Sequence, residues 1–100
     1  MTDDDNQLND NPLELPIDGT LDLHHFSPKE TKAVVEEYIH ACLQKKIYAL
    51  RIVHGKGIGV QREIVHSVLR DSPYVQSFHH EEGSGGGWGA TVVDLIIPEH

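Results

Sequence analysis

The sequence predicts an α/β domain, a two-layer sandwich with the element order βαβαββ and a mixed four-stranded sheet with two helices on one face. Three observations predict it: apolar residues at helical spacing in two segments, short β-branched segments around them, and turn residues at the boundaries. Strand–helix–strand units imply that the first three strands are parallel, and the short loop before the last strand makes that strand antiparallel. Since two helices cover only one sheet face, the other face is expected to be partly exposed or covered by the tail or by a partner.

The first half of the domain is defined by its boundary residues. A short strand is predicted at 21–23. Ser27 suits a helix N-cap, Pro28 suits the first helical position, and Glu30 completes a capping box. Apolar residues then recur at helical spacing as far as Lys45: Val34, Val35, Tyr38, Ile39, Cys42 and Leu43.

The second half alternates in the same way. A buried strand is predicted at 49–53, and a second helix at 60–69 is ended by Ser72-Pro73. The third strand, at 75–79, is followed by a glycine-rich loop, and a long β-branched strand occupies 90–97.

The acidic charge is concentrated in the N-terminal tail. Residues 1–15 contain few apolar groups and are predicted to be disordered, which leaves 16–100 as the folded domain. From Thr20 onward ten acidic residues stand against eight basic ones, so the net charge of −8 belongs mostly to the tail. A near-neutral domain argues against strong non-specific binding to nucleic acid but leaves a local binding site open.

A single cysteine limits the chemistry available to the chain. Cys42 allows no internal disulfide and no cysteine-based metal cluster, and it fits a reducing compartment. Its place in an apolar helical stripe predicts an inert core thiol. No apolar run approaches the ~18 residues of a membrane span, and the start of the chain has no secretory signal. We therefore expect a cytoplasmic protein without a membrane partner.

Three segments rich in polar residues or glycine follow predicted strand ends: 22–25, 54–57 and 83–89. In an open parallel sheet such segments share one edge, and ligands bind there, so we expect the three to meet. The middle segment precedes a helix, whose free N–H groups and dipole favour an anion. Lys56 adds a positive charge, and the glycines allow a phosphate to approach the backbone closely.

A carboxylate and an imidazole accompany this anion site. Asp22 and His24 alternate along a strand, so both can point the same way and can do acid/base work or bind a metal. An anion site beside such a pair suggests phosphodiester chemistry. The turn at 55–59 is not a Walker A loop, because no Gly-Lys-Ser/Thr follows, and it is not the dinucleotide-binding fingerprint.

Three motifs resemble those of the Smr (small MutS-related) domain family: LDLH at 21–24, HGKGIG at 54–59 and GGWGAT at 86–91. The resemblance covers about residues 16–97. It implies a fold similar to the C-terminal domain of a bacterial translation initiation factor, with the same βαβαββ order. Several Smr domains are nucleases, of which some nick DNA and others cut messenger RNA on stalled ribosomes.

The resemblance puts catalytic weight on Asp22 and His24 and nucleic-acid contact on His54, Gly55, Lys56 and Gly57. Together with the neighbouring residues of the same segments, the catalytic candidates are Asp22, His24 and His54, and the candidates for binding nucleic acid or phosphate are Gly55, Lys56, Gly57, Gly59, Arg62, Gly87 and Trp88. The implied partner is DNA or RNA, with the ribosome as a further option. No metal ligands are assigned, and a loosely held Mg²⁺ or Mn²⁺ is left open as a cofactor. One position departs from the family, because His25 stands where the first motif commonly has glycine, which predicts a differently shaped loop.

Structural alternatives stand beside these assignments. Asp22 could cap a backbone turn, and His54 could bond a backbone carbonyl. Trp88 could pack on the sheet rather than stack on a base. His79 or His80 could join Asp22 and His24 in a three-ligand metal set. On their helices, His40 and His66 are expected to be surface groups away from the edge.

Two classes of function follow from the sequence, together with a weaker third. The first is an endonuclease, with His24 as general acid or base and Asp22 orienting it. The second is a non-catalytic module that binds nucleic acid or the ribosome. The third is a protein-interaction domain that uses the uncovered sheet face.

Overall fold

The predicted element order is confirmed by a computed structural model, which describes residues 16–55, 59–81 and 89–98. The elements are β1 (Thr20–Asp22), α1 (Pro28–Gln44), β2 (Ala49–Val53), α2 (Val60–Asp71), β3 (Val75–His80) and β4 (Ala90–Leu95). The last strand is two residues shorter than predicted. The predicted tail at 1–15 lies outside the described residues.

The four strands form one mixed sheet in the order β1-β2-β4-β3. β1 is parallel to β2, whereas β4 is antiparallel to both of its neighbours. The first three strands thus run in the same direction, as predicted, but β2 and β3 are not neighbours because β4 lies between them. Four of the six residues of β4 are buried and none of those of β3 is. A central strand is covered on both sides, so the more apolar strand takes the central place.

Both helices pack on one face of the sheet, and the core lies between the layers. Its buried residues include Leu21, Leu23, Val35, Tyr38, Ile39, Cys42, Leu50, Ile52, Val65, Leu69, Val93 and Leu95. The Tyr38 hydroxyl anchors the start of β1, since it accepts the N–H of Gly19 at 3.0 Å and donates to the carbonyl of Thr20 at 3.1 Å. Cys42 is fully buried, so its predicted place in the core is confirmed. Burial raises its pKa to about 11, as expected of an unreactive thiol.

The first helix begins and ends with recognisable caps. At its start, Glu30 accepts the backbone N–H of Ser27 at 2.9 Å, one half of the predicted capping box. At its end, the N–H of Lys46 bonds the carbonyl of Leu43 at 3.1 Å, and that of Ile47 bonds the carbonyl of Cys42 at 2.8 Å. These two bonds form a Schellman motif, which places Lys46 at a left-handed φ of 62°.

The sheet face opposite the helices is partly exposed, as expected. An ion pair crosses it, in which Arg51 on β2 contacts both carboxylate oxygens of Glu81 at 2.8 Å. The carboxylate lies beyond the end of β3, so the pair reaches over β4. Within the described part of the chain, neither helix has the length and apolar character needed to cross a bilayer.

Candidate functional site

The described parts of the three segments that were expected to meet, residues 22–25, 54–55 and 89, lie at one edge of the sheet. The N–H of Leu23, at the end of β1, donates to the carbonyl of Val53, at the end of β2, at 2.9 Å. The N–H groups of His54 and Gly55 both donate to the carbonyl of Gly89, just before β4, at 3.0 and 2.8 Å. The first two motifs and the described end of the third are therefore hydrogen-bonded neighbours.

Asp22 and His24 form an exposed carboxylate–imidazole pair at this edge. Oδ1 of Asp22 lies 3.1 Å from Nδ1 of His24, and the side chains are 56% and 67% exposed. The same oxygen accepts the backbone N–H of His24 at 3.0 Å. That backbone hydrogen bond, followed by the contact with the ring, lowers the pKa of Asp22. The carboxylate is thus ionised near neutral pH and can orient the ring through Nδ1–H.

The turn that carries this pair accommodates His25 without a left-handed backbone. The N–H of Phe26 bonds the carbonyl of Leu23 at 2.9 Å and closes the turn. Lys46 is the one non-glycine residue with positive φ among the described residues, so His25 keeps a negative φ. Its ring lies against that of His24, with the centroids 3.9 Å apart and the planes tilted by 36°. Histidine in place of the family glycine therefore needs no strained conformation here.

Gln61, in the first turn of α2, holds this turn from the helix side and was missed from the sequence. Its side-chain amide donates to the carbonyl of Phe26 at 2.7 Å, to Thr31 Oγ1 at 3.2 Å and to the carbonyl of Leu23 at 3.3 Å. Gln61 belongs to no sequence motif, and its hydrogen-bond partners lie at least 30 residues away in the chain. Only the topology reveals its role.

His54 lies on the helix side of the sheet, unlike the exposed pair. It is 7% exposed, and both ring nitrogens have partners. Nδ1 lies 3.0 Å from the carbonyl oxygen of Gly55, and Nε2 lies 2.9 Å from Thr91 Oγ1. Burial, as the largest cause, lowers the pKa of His54. The backbone of His54 therefore lies at the edge of the sheet, but its ring points toward the helices and away from the exposed Asp22–His24 pair.

The expectation that His66 is a surface group away from the edge is wrong. Its ring is partly buried, and Nε2 lies 2.9 Å from Thr91 Oγ1, the same atom that His54 contacts. The His66 and His80 ring centroids are 5.2 Å apart. His66 lies in the middle of α2, on the face that packs on the sheet. The helical spacing of the apolar residues did not show that this position faces the sheet and not the solvent. His40 is exposed, as expected.

The described part of the edge contains no group of three His, Cys, Asp or Glu side chains placed to hold a metal ion. The three-ligand set of Asp22, His24 and His79 or His80 is thus not formed by the described residues. Asp22 remains a carboxylate at which a loosely bound divalent ion could be held together with a substrate phosphate.

The phosphate-binding candidates are only partly within the described residues. Gly59 is the N-cap of α2 with a φ of 86°, and a Cβ there would lie 3.1 Å from Nη2 of Arg62. The Arg62 guanidinium therefore lies against the turn. Gly55 has a φ of 80°, and a Cβ there would meet no atom of the described residues within 4 Å. The other candidates lie outside the described residues: Lys56, Gly57, Gly87 and Trp88.

The family model described as the Smr domain matches residues 21–96, which include both helices and all of the sheet except Thr20, the first residue of β1. The chain belongs to the Smr domain family. Its relatives include Endonuclease MutS2 of Carboxydothermus hydrogenoformans, 35% identical over 75 residues, and Endonuclease MutS2 of Lactiplantibacillus plantarum, 36% identical over 79 residues. These alignments cover 75% and 79% of the chain, which spans about a tenth of the length of the curated relatives it matches.

Two solved Smr structures share the fold. The Smr domain of Thermus thermophilus MutS2 superposes with a TM-score of 0.73 at 30% identity, covering 79% of this chain and 99% of that one. YdaL, a stand-alone small MutS-related protein from Escherichia coli, gives a TM-score of 0.71 at 26% identity, covering 77% and 63%. The predicted fold class and the predicted family are both confirmed.

Proposed function

We propose that this Smr domain is an endonuclease that hydrolyses phosphodiester bonds of DNA or RNA at the edge formed by the ends of β1 and β2. The observation that carries the proposal is the exposed pair of Asp22 and His24, in contact at 3.1 Å. Gln61 ties their turn to the N-terminus of α2. The similarity to Endonuclease MutS2 supports the same reaction class.

Asp22 and His24 have different roles in the proposed reaction. The ionised Asp22 carboxylate accepts Nδ1–H of His24 and so favours the tautomer in which Nε2 carries no proton. Nε2 can then take a proton from the attacking water as general base. Proton transfer by a positioned histidine typically contributes about 10²–10⁴-fold to the rate. The ring of His25 lies against that of His24, with the centroids 3.9 Å apart.

The phosphate would bind beside this pair, at the start of α2. The first N–H groups of a helix lack intrahelical acceptors, and the helix dipole makes this end attractive to an anion. The guanidinium of Arg62 against Gly59 adds a positive charge that can stabilise charge developing on the phosphate. The contributions of Lys56, Gly57, Gly87 and Trp88 to the same site remain predictions from the sequence.

A non-catalytic module that binds nucleic acid or the ribosome is the second candidate. The hydrogen bond from the backbone N–H of His24 to Asp22 favours it, since a carboxylate retained only to cap a turn would make this same bond. Such a module would bind through few phosphate contacts, so log K should change with log[salt] by about −0.7 to −0.9 per contact.

The two candidates are separated by nicking of supercoiled plasmid and cleavage of structured RNA, each with and without EDTA. Asp22→Asn keeps an oxygen that can cap the turn but removes the charge, and His24→Ala removes the ring. We expect each to lower cleavage, His24→Ala by about 10²–10⁴-fold. Asp71→Asn and His40→Ala, at exposed helical positions away from the edge, are the matched controls.

Each result decides between the candidates. Cleavage at the wild-type rate by both Asp22→Asn and His24→Ala rejects the catalytic assignment. Binding without cleavage by the wild type and both variants establishes the module. Inhibition by EDTA, reversed by Mg²⁺ or Mn²⁺, would assign the cofactor left open by the sequence. RNA as a substrate and the cytoplasm as the location remain predictions.

A further inference from the structure

The side chains of His54, Thr91 and His66 form a hydrogen-bonded group in which both histidines contact the hydroxyl of Thr91. Thr91 is fully buried on the helix side of β4. Its Oγ1 lies 2.9 Å from Nε2 of His54, which follows β2, and 2.9 Å from Nε2 of His66, on α2. The His66 ring is packed between those of Phe78 and His80, with centroid distances of 5.1 and 5.2 Å. A single hydroxyl therefore connects two histidines held in place by their surroundings.

The direction of these hydrogen bonds follows from the chemistry of their ends. The Gly55 carbonyl can only accept, so Nδ1 of His54 must carry its proton. Burial lowers the pKa of His54 and so favours the neutral ring, in which Nε2 then carries no proton and accepts. Thr91 has one hydroxyl proton and gives it to His54, so its oxygen accepts Nε2–H from His66. The chain runs from His66 through Thr91 and His54 to Gly55.

The last acceptor of this chain is the backbone of the glycine turn. The carbonyl of Gly55 is held by His54, and the N–H of Gly55 is held by the carbonyl of Gly89 at 2.8 Å. Gly55 has a φ of 80°. Glycine has many accessible backbone conformations, so hydrogen bonds to its peptide groups are needed to hold it in one of them. Fixing both groups orients the backbone as it enters the turn.

We propose that His66 and Thr91 are positioning residues for the turn at Gly55: they hold His54 in its Nδ1–H tautomer, and His54 fixes the Gly55 carbonyl. The proposal rests on the proposed function, which places the phosphate at the start of α2, shortly after Gly55 in the chain. Neither residue needs to touch the substrate. Both act through His54, which explains why a ring among the catalytic candidates is buried with both nitrogens in use.

The test uses Thr91→Val, which keeps the shape of the side chain but removes the hydroxyl, and Thr91→Ser, which restores it. Three quantities are measured on the full chain: the ring tautomers of His54 and His66 by ¹⁵N NMR at about pH 8, hydrogen exchange of the Gly55 amide, and affinity for a fluorescent single-stranded oligonucleotide. We expect the wild type to show His54 as Nδ1–H and His66 as Nε2–H.

In Thr91→Val the Nδ1–H preference of His54 should weaken, because Nε2 loses its donor, and the Nε2–H preference of His66 should be lost. The Gly55 amide should exchange faster, and the oligonucleotide should bind more weakly, each by roughly threefold to tenfold, the equivalent of one hydrogen bond. Thr91→Ser should restore all three quantities. If Thr91→Val does not fold, His66→Phe, which keeps a ring against Phe78 but removes the donor, should produce the same faster exchange at Gly55.

The tautomers and the exchange rate separate this proposal from the proposed function. A wild-type protein that binds no oligonucleotide rejects the proposed function, while its tautomers and Gly55 exchange still decide whether the positioning chain exists. Wild-type tautomers of His54 together with wild-type exchange at Gly55, in Thr91→Val or in His66→Phe, would overturn the proposal.

Discussion

Gln61 on α2 donates a hydrogen bond from its side-chain amide to the carbonyl oxygen of Phe26 at 2.7 Å. Phe26 closes the turn that carries His24 and His25, through its N–H bond to Leu23. The second helix is therefore hydrogen-bonded directly to the turn that follows the LDLH motif. These bonds link the start of α2 to the segment that carries Asp22 and His24. The position of the proposed base thus depends on a residue with no chemistry of its own.

Replacing Gln61 by glutamate tests this dependence. Gln61→Glu keeps the size of the side chain but removes the N–H donor and turns a carboxylate oxygen toward the carbonyls of Phe26 and Leu23. We expect a loss of about 1–2 kcal/mol in the free energy of unfolding, even after the favourable effect of an acid near a helix N-terminus. Urea denaturation measures it. Gln76→Glu, at an exposed position of β3, is the control, and equal stability of the two variants would contradict the role.

Substitutions at Gly55 separate the effect of backbone strain on stability from the effect of an added side chain on ligand binding. Its φ of 80° disfavours most side chains, but a Cβ there would meet no atom of the described residues within 4 Å. Gly55→Ala should therefore lose about 1–2 kcal/mol of stability through backbone strain alone. Asparagine tolerates this conformation better, so Gly55→Asn should be the more stable variant, although its side chain enters the space beside Gly55. We expect it to weaken oligonucleotide binding; wild-type affinity would show that the ligand does not use this space.

Most of the fold could be predicted from the sequence because its signals are local. Ser27, Pro28 and Glu30 indicate the start of α1, and helical spacing identifies the face with Val35 and Ile39. The place of β4 between β2 and β3 could not be read locally, since it depends on which strand has the greater area to bury.

The candidate site could be predicted in outline only. LDLH and HGKG were expected to meet, because segments after parallel strands share an edge, and the bond from Leu23 to Val53 places them side by side. The contributions of Gln61, His66 and Thr91 could not be predicted, since their partners are set by how the layers pack. The motifs identify which residues gather at the edge, but packing decides that Asp22 faces solvent and His54 faces the core.

The two lysines after α1 should respond in opposite ways to the same substitution. Lys46 has a left-handed φ of 62°, whereas Lys45 has an ordinary φ of −96°. Lys46→Gly relieves the left-handed conformation and should raise the free energy of unfolding by about 0.5–1 kcal/mol. Lys45→Gly gains no such relief and should lower it by a similar amount, roughly 0.5–1 kcal/mol, through the greater freedom of the unfolded chain. Thermal or urea denaturation measures both, and a change of the same sign in both variants would contradict the prediction.

The histidines around Thr91 should make stability depend on pH. Burial, as the largest cause in each case, lowers the pKa values of both His54 and His66 from the ordinary 6.5. The hydrogen bond to the Gly55 carbonyl opposes this at His54, and Glu63 opposes it at His66. The charges of His80 on β3 and Arg62 on α2 lower both pKa values further, and that of His54 lowers the pKa of His66. As the pH falls through 6.5, the unfolded chain takes up protons that the folded rings do not. The free energy of unfolding should therefore decrease from neutral pH toward the lowered pKa values of the folded rings.

His66→Gln isolates one of the two contributions. The glutamine amide can still donate to Thr91 Oγ1 but cannot take up a proton in this range. Urea denaturation between about pH 8 and about pH 5 should show that the free energy of unfolding declines less steeply in His66→Gln than in the wild type, because one of the two shifted groups has been removed. His40→Gln replaces an exposed histidine on α1 and should retain the wild-type decline. An equal decline in all three proteins would mean that His66 is as accessible to protons in the folded state as in the unfolded one, contrary to its place against Phe78 and Thr91.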